Sequence, residues 1–271
     1  MESVSNRPMK YYYPEHLAGY ERIKAEGKTA WAEIHGGSGF ENFASREFLE
    51  AVLPRLRFAD EHPAALELGC GTGPGACFLA EQGFRVDGID LIPAAIEIAC
   101  AQARKRGLDI YYEVMDVVEL PHEGKPYDLI VDSYCLQCIV TDSDRDKLFA
   151  AVRARLKPQG YYVISTAYFE DNRCHKDESV IDESTGTAYY RYGENCLFDP
   201  AADIVYSPVE QEHCQWEDSV RIAGKWYLPN RRHRRPEALK AELTMAGFNV
   251  LDQDKGNMLC SHKGAVKKDK A

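Results

Sequence analysis

One stretch, "AALELGCGTGPGACFLAEQG" at residues 64–83, limits the possible folds more than any other part of the chain. Its apolar opening reads as a strand, Ala64 to Leu68. A helix should follow from about Pro74, whose fixed φ suits a first helical position, with Gly83 as its left-handed stop. Glycines between a strand and a helix let backbone N–H groups approach a ligand that a β-carbon would hold off. Such a turn suits a nucleotide, and it presupposes a parallel sheet covered by helices.

The following residues keep that rhythm. "FRVDGID", "IYYEVMD", "YDLIVD" and "YYVIST" read as strands two to five. "IPAAIEIACAQARKRG" between them reads as a helix opened by Pro93 and closed by Arg104 to Arg106 and Gly107. Thr141 with Asp144 resembles a capping box opening a helix that carries Leu148, Val152 and Leu156 and ends at "LKPQG". A last helix, "PEALKAELTMAG", leads into "FNVLDQDKGNMLCSHK", whose "DKGN" reads as a hairpin turn; the tail "KKDKA" is expected to be disordered.

Two regions stand outside this alternation. "PEHLAGYERIKAEGKTAWAEIH" and "SREFLEAVLPRL" read as helices either side of the glycines at Gly36 to Gly39, and form an expected lid. "TAYYRYG", "DIVYSP" and "VRIAGKWYLP" read as short antiparallel strands of an inserted cap. The expected division is therefore residues 1–60 as N-terminal helical lid, 61–166 with 236–265 as core, and 167–235 as cap.

Gly71, Gly73 and Ala76 satisfy G-x-G-x-x-A, and Asp90 lies near the distance of an acid that binds ribose hydroxyls, which by itself fits an NAD-dependent oxidoreductase. Glu67 points elsewhere, because a carboxylate before the glycines would sit close to an anionic pyrophosphate. In this respect the chain resembles the class I S-adenosylmethionine-dependent methyltransferases. Their acid-x-G-x-G-x-G motif is matched by Glu67-Leu68-Gly69-Cys70-Gly71-Thr72-Gly73, and the likeness covers roughly residues 45–165 and 237–263.

The resemblance implies a Rossmann-like α/β sheet, mostly parallel with a terminal antiparallel hairpin, and S-adenosylmethionine as cofactor. It implies that Glu67 and the backbone from Gly69 through Cys70 and Gly71 to Gly73 approach the methionine portion. Asp90, followed by Leu91, would take both ribose hydroxyls. Asp116 would accept from the adenine amino group beside the Val117 N–H, and Asp132 would face the methyl group. Simple strand-end acids are the plainer alternative for Glu67, Asp90 and Asp132, and a turn-forming role is that for Asp116.

Methyl transfer from a sulfonium is an in-line displacement that needs positioning and dryness; only a hydroxyl acceptor needs a base. The candidate catalytic residues are His35, His213 and Tyr134, with His175 a further histidine of the cap. The family's amino-group methylation signature, Asn or Asp before Pro-Pro and an aromatic residue, is replaced by Asp132-Ser133-Tyr134-Cys135, so a small-molecule acceptor is expected. The aromatic stock, including Tyr11 to Tyr13, Trp31, Tyr134, Tyr189, Tyr190, Tyr192, Trp216 and Trp226, suits either a closed pocket over a cation or the cap's own core. A cofactor-binding regulator without turnover is a third reading.

A formal net charge of −10 disfavours nucleic acid, which is gripped by clustered cations. "RRHRRPEALK" is the basic exception, either a grip for an acidic substrate or a solvated turn. No run approaches the ~20 apolar residues of a membrane span and the N-terminus lacks a signal-peptide stretch, so a cytoplasmic protein without membrane partners is expected. The 9 cysteines show no disulfide framework. Cys135-x-x-Cys138 lacks a second pair at zinc spacing, and no metal is expected.

Overall fold

A computed structural model describes residues 10–37, 39–183, 185–210 and 218–262, apart from the side chain of His35. A seven-stranded sheet has the order β12-β13-β5-β4-β1-β2-β3. Its strands are β1 (Ala64–Leu68), β2 (Arg85–Asp90), β3 (Ile110–Val114), β4 (Tyr127–Ser133), β5 (Leu156–Ser165), β12 (Phe248–Asp254) and β13 (Asn257–His262). β1 pairs in parallel with β2 and β4, while β13 runs antiparallel to both β5 and β12. The sheet is thus the Rossmann-like one expected, with its terminal hairpin. The order reverses at β1, and ligands of such sheets bind outside the carboxyl ends of the strands at that point.

β1 is buried throughout because both faces of the sheet are covered. Leu66, Ile130 and Tyr162 share a cluster with Leu148 and Val152 of α5 (Asp142–Arg155) and Leu243 of α6 (Pro236–Met245). On the other face Ala65, Val131 and Val163 pack with Leu49 and Val52 of α2 (Arg46–Val52) and with Ala76 and Leu79 of α3 (Pro74–Glu81). Neighbouring strand residues point to opposite faces, so Ala65 and Leu66 serve different layers. α1 (Tyr13–Ala25) lies against the start of α4 (Pro93–Arg106), with Tyr20 and Ile23 packed on Ile92 and Ala95.

Three local expectations need correction. The first helical piece does not run from Pro14 to His35; α1 stops at Ala25 and only a 3-10 turn, Trp31–His35, follows. "LKPQG" is not a turn between helix and strand. β5 begins at Leu156, which pairs with Tyr127, and the register then jumps to Leu129 with Tyr161, leaving the intervening residues as a bulge where Lys157 reaches Asp128 at 2.8 Å. Thr141 does cap α5 through the Asp144 N–H, but the Asp144 carboxylate turns to Lys10 at 3.1 Å, so the box is only half formed.

Between β5 and α6 the chain inserts a six-stranded antiparallel sheet of order β10-β11-β9-β8-β7-β6. The expected runs appear as β7 (Thr187–Tyr192), β9 (Ile204–Pro208), β10 (Val220–Ile222) and β11 (Lys225–Arg232); β6 (Cys174–Asp182) and β8 (Cys196–Asp199) join them. Tyr192 and Phe198 pack on one face, and Tyr189, Leu197 and Tyr227 on the other.

"RRHRR" is neither a solvated turn nor a free anion grip. Arg232, buried, donates to the Val140 carbonyl at 3.0 Å and to Asp142 at 2.5 Å, and Arg234 lies 3.0 Å from Glu242 of α6. Glu242 also takes Arg145 at 2.6 Å, so the arginines fasten the inserted sheet to α5 and α6. Among the described residues no helix is long and apolar enough to cross a membrane, and the eight described cysteines are free.

Candidate functional site

A cavity of about 320 Å³ opens at the reversal point, within the size range of small-ligand sites. Its floor is the glycine turn. Gly71 has a φ of 54° and faces α1 so closely that an added Cβ would lie 2.6 Å from the Tyr20 hydroxyl. Gly69, φ 59°, faces the Cβ and Sγ of Cys135 in the same way, at 2.7 Å. Gly73 does not line the cavity; it precedes α3 and packs toward Tyr112. Cys70 does line it, buried.

The four expected acids gather at this end of the sheet and behave differently. Glu67 is buried, with Oε2 lacking any partner and Oε1 against the first turn of α3, so close to Gly75 that a β-carbon could not be added there. Burial, with smaller contributions from Asp132 and Asp90, pushes its carboxyl up to about 8, against the Ala76 N–H that favours the charged form. Asp90, at the end of β2, accepts from the Gly71 N–H and the Ile92 N–H, both at 2.9 Å. Burial raises it too. Each of its oxygens keeps a second lone pair for a ligand hydroxyl.

Asp116 forms a turn and also lines the cavity. Oδ1 accepts from the Val118 N–H at 3.1 Å and opens the turn Val117–Glu119, while Oδ2 accepts from the Tyr12 hydroxyl at 2.7 Å. Asp132 departs from the expectation of a methyl-facing acid. It does not line the cavity; its Oδ1 accepts from the N–H groups of Cys135 and Leu136 at 2.9 and 3.0 Å and holds the turn after β4. Its Oδ2 has no partner, and burial lifts the carboxyl to about 7. Leu91 and Val117 line the wall.

Of the candidate catalytic residues, only Tyr134 is placed on the cavity, at a φ of 64° that is uncommon for a side chain of its size. His35 ends the 3-10 turn, with its side chain outside the described residues, and His213 and Trp216 fall outside them altogether. His175 pairs opposite Arg191 in β6 and is not part of the cavity. Tyr189, Tyr190 and Tyr192 pack within the inserted sheet, and Trp226 stays off the cavity, whereas Tyr12 and Trp31 line it.

Sequence reading missed His16 and Tyr20 on the wall, and it named Cys138 only in a C-x-x-C and Arg231 only in the basic run, although both line the cavity. Tyr12, His16 and Tyr20 stand at i, i+4 and i+8, one stripe of α1, and that spacing was the available signal. His16 stacks on Trp31, with ring centroids 5.5 Å apart, and Trp31 meets Tyr20 at 5.0 Å. Arg231 comes from β11 and donates to both oxygens of Glu15 at 2.8 and 3.1 Å.

The sheet order agrees with the comparison to known proteins. Residues 65–160 match the model of a methyltransferase domain. They are a methyltransferase domain. Over 101 residues the chain is 36% identical to a ubiquinone biosynthesis O-methyltransferase of Rickettsia prowazekii, covering 37% of this chain and 38% of that one. Curated relatives of this kind are matched over 38% to 54% of their length.

Two solved structures share the fold over nearly the whole chain. An S-adenosylmethionine-dependent methyltransferase from Clostridium acetobutylicum is 18% identical with TM-score 0.58, covering 90% of this chain and 99% of that one. The CcbJ methyltransferase from Streptomyces caelestis is 14% identical with TM-score 0.62, covering 94% and 99%. The methyltransferase domain decides between the nucleotides that G-x-G-x-x-A left open: the cofactor of the family is S-adenosylmethionine, not NAD. The residues fit it. A buried carboxylate with an unpartnered oxygen beside a glycine floor is costly without a cation, and the cofactor carries an ammonium and a sulfonium.

Proposed function

We propose that the protein transfers the methyl group of S-adenosylmethionine to an oxygen of a small acceptor held between the sheet and α1. The observation that carries the reading is the unpartnered Glu67 oxygen in a cavity floored by Gly69 and Gly71. The likeness to proteins named for O-methylation supports oxygen as the acceptor atom.

In this reading the cofactor supplies a methyl group already activated by sulfonium, and the chain supplies the rest. Glu67 and the turn from Gly69 through Cys70 to Gly71 hold the methionine end, with Gly73 shaping the turn from outside. Asp90 beside Leu91 takes the ribose hydroxyls. Asp116 and Val117 receive the adenine edge, with Tyr12 already positioning the carboxylate at 2.7 Å. Asp132 acts from behind, fixing the turn that carries Tyr134, Cys135 and Cys138. Tyr12, Tyr20, Trp31, Phe43 and Tyr134 line the wall with apolar surface, which excludes water from the displacement. Residues 1–60 and 167–235 enclose the acceptor around a core of 61–166 and 236–265, the second through Arg231.

The test is calorimetry against S-adenosylmethionine and NAD, followed by incubation with methyl-labelled cofactor and a cell extract. Labelled ether product identified by mass supports the reading. Absence of affinity for S-adenosylmethionine overturns it, and affinity without any labelled product reduces the protein to a cofactor-binding regulator.

A further inference from the structure

His16 and Cys138 face each other on the wall of the cavity, with Nε2 and Sγ 3.6 Å apart. The other ring nitrogen settles the tautomer. Nδ1 lies 2.6 Å from the Tyr12 carbonyl, which only accepts, so Nδ1 carries the hydrogen and Nε2 is left to receive a proton from sulfur. A thiol, an imidazole and a backbone carbonyl stand in a row, the arrangement that activates a sulfur. Each part is braced. Trp31 stacks on the imidazole, and Asp132 fixes the turn that ends at Cys138.

We propose that Cys138 and His16 form a proton-accepting dyad that deprotonates the acceptor, which is therefore a weakly acidic hydroxyl of a phenol-like ring. This rests on the reading of the cavity as a methyl-transfer site. In the dyad the Cys138 thiol passes its proton to His16 Nε2, giving thiolate and imidazolium. The acceptor O–H gives its proton to Cys138 Sγ, and the oxygen lone pair forms the new O–C bond. The sulfonium C–S bond breaks with its electron pair left on the cofactor sulfur, and the Cys138 proton then passes to solvent. Tyr12, Tyr20, Trp31 and Phe43 line the cavity with aromatic surface suited to a planar acceptor.

The surrounding charges agree in direction. Burial is the largest influence on both groups and opposes charge, yet Arg231 and His16 together hold the Cys138 thiol below its ordinary value. The Cys138 sulfur in turn holds His16 up to about 9. The other titratable neighbours are Glu15 and Tyr20 on α1, Asp90 at the end of β2 and Cys135 on the same turn. Glu15 is the one that counts against a thiolate from beside Arg231.

The decisive experiment needs no cofactor. Ultraviolet thiolate absorbance of the full chain is titrated in wild type and Cys138→Ser, and the difference reports Cys138 alone. The expected midpoint is below the about 8.5 of a free cysteine, and His16→Gln should raise it by at least about one unit, tenfold in thiolate fraction. A wild-type midpoint at or above that value overturns the proposal, as does an unchanged midpoint in a folded His16→Gln. If that variant does not fold, the wild-type midpoint alone decides. With labelled cofactor and phenols of graded acidity, Cys138→Ser should lower kcat more than tenfold for weakly acidic phenols and little for those already ionised. An equal loss across the series makes Cys138 merely structural. Failure of the cofactor to bind would instead sink the methyl-transfer reading and leave the titration standing.

Discussion

Glu67→Gln should make the cofactor-free protein more stable and the cofactor weaker-binding at once. The carboxyl is lifted from an ordinary 4.5 to about 8 in the fold. A group whose folded pKa is raised contributes stability that is complete below 4.5 and is lost as pH climbs to 8, because the unfolded chain releases the proton first. The difference of 3.5 units, at about 1.4 kcal/mol each, sets a total near 5 kcal/mol, of which about 3 kcal/mol is already lost at pH 7. Glutamine keeps an oxygen for the Ala76 N–H and has no charge to bury, so the variant's advantage should be near zero at pH 4 and grow to that size above pH 8. Urea unfolding across pH measures it. Binding should move the other way, since a sulfonium and an ammonium favour the ionised carboxylate. Wild type should release a proton on taking up S-adenosylmethionine at pH 7, visible as a buffer-dependent enthalpy, and the variant should not. A variant less stable than wild type at pH 8, or one that binds with wild-type affinity, would refute the assignment of this carboxylate to a cationic ligand.

Gly71→Ala places a Cβ 2.6 Å from the Tyr20 hydroxyl at a φ of 54°; it should cost about 2 kcal/mol in thermal unfolding and abolish calorimetric cofactor binding, with Tyr20→Phe restoring part of the stability. Tyr12→Phe removes the 2.7 Å bond to Asp116 and should lower stability by about 1 kcal/mol in urea while hydrogen exchange accelerates in α1 rather than in the sheet. Arg232→Met breaks the bonds to Val140 and Asp142 and should cost about 2 kcal/mol in urea; a change under a few tenths would remove the inserted sheet's main anchor from this account.

The core was legible because its signals are local. Apolar runs of strand length, Pro93 at the start of α4 and Gly107 left-handed beyond its end need no distant partner to be interpreted. β6 escaped because "CHKDESVID" is largely exposed along an edge strand and carries little alternation. β5 was begun too late for a related reason. Leu156 continues the helical spacing of Leu148 and Val152, but its pairing with Tyr127 wins, and only the neighbouring strand could have shown that.

The site divides along the same line. Glu67, Asp90 and Asp116 are fixed by spacing to glycines and strand ends, so a sequence places them together on one rim. Asp132 has the same spacing and a different job, because two backbone N–H groups of the next turn reach its carboxylate first. One wall of the cavity is assembled from three remote pieces: His16 of α1, Cys138 of the turn after β4, and Arg231 of β11. No window of sequence contains two of them, and the basic run around Arg231 looked like surface because charge patterning cannot reveal which acids it will meet. Tertiary contact decides there. A histidine separated by 122 residues from the sulfur it faces is invisible to motif and period alike, although the stripe of Tyr12, His16 and Tyr20 already showed which face of α1 turns inward.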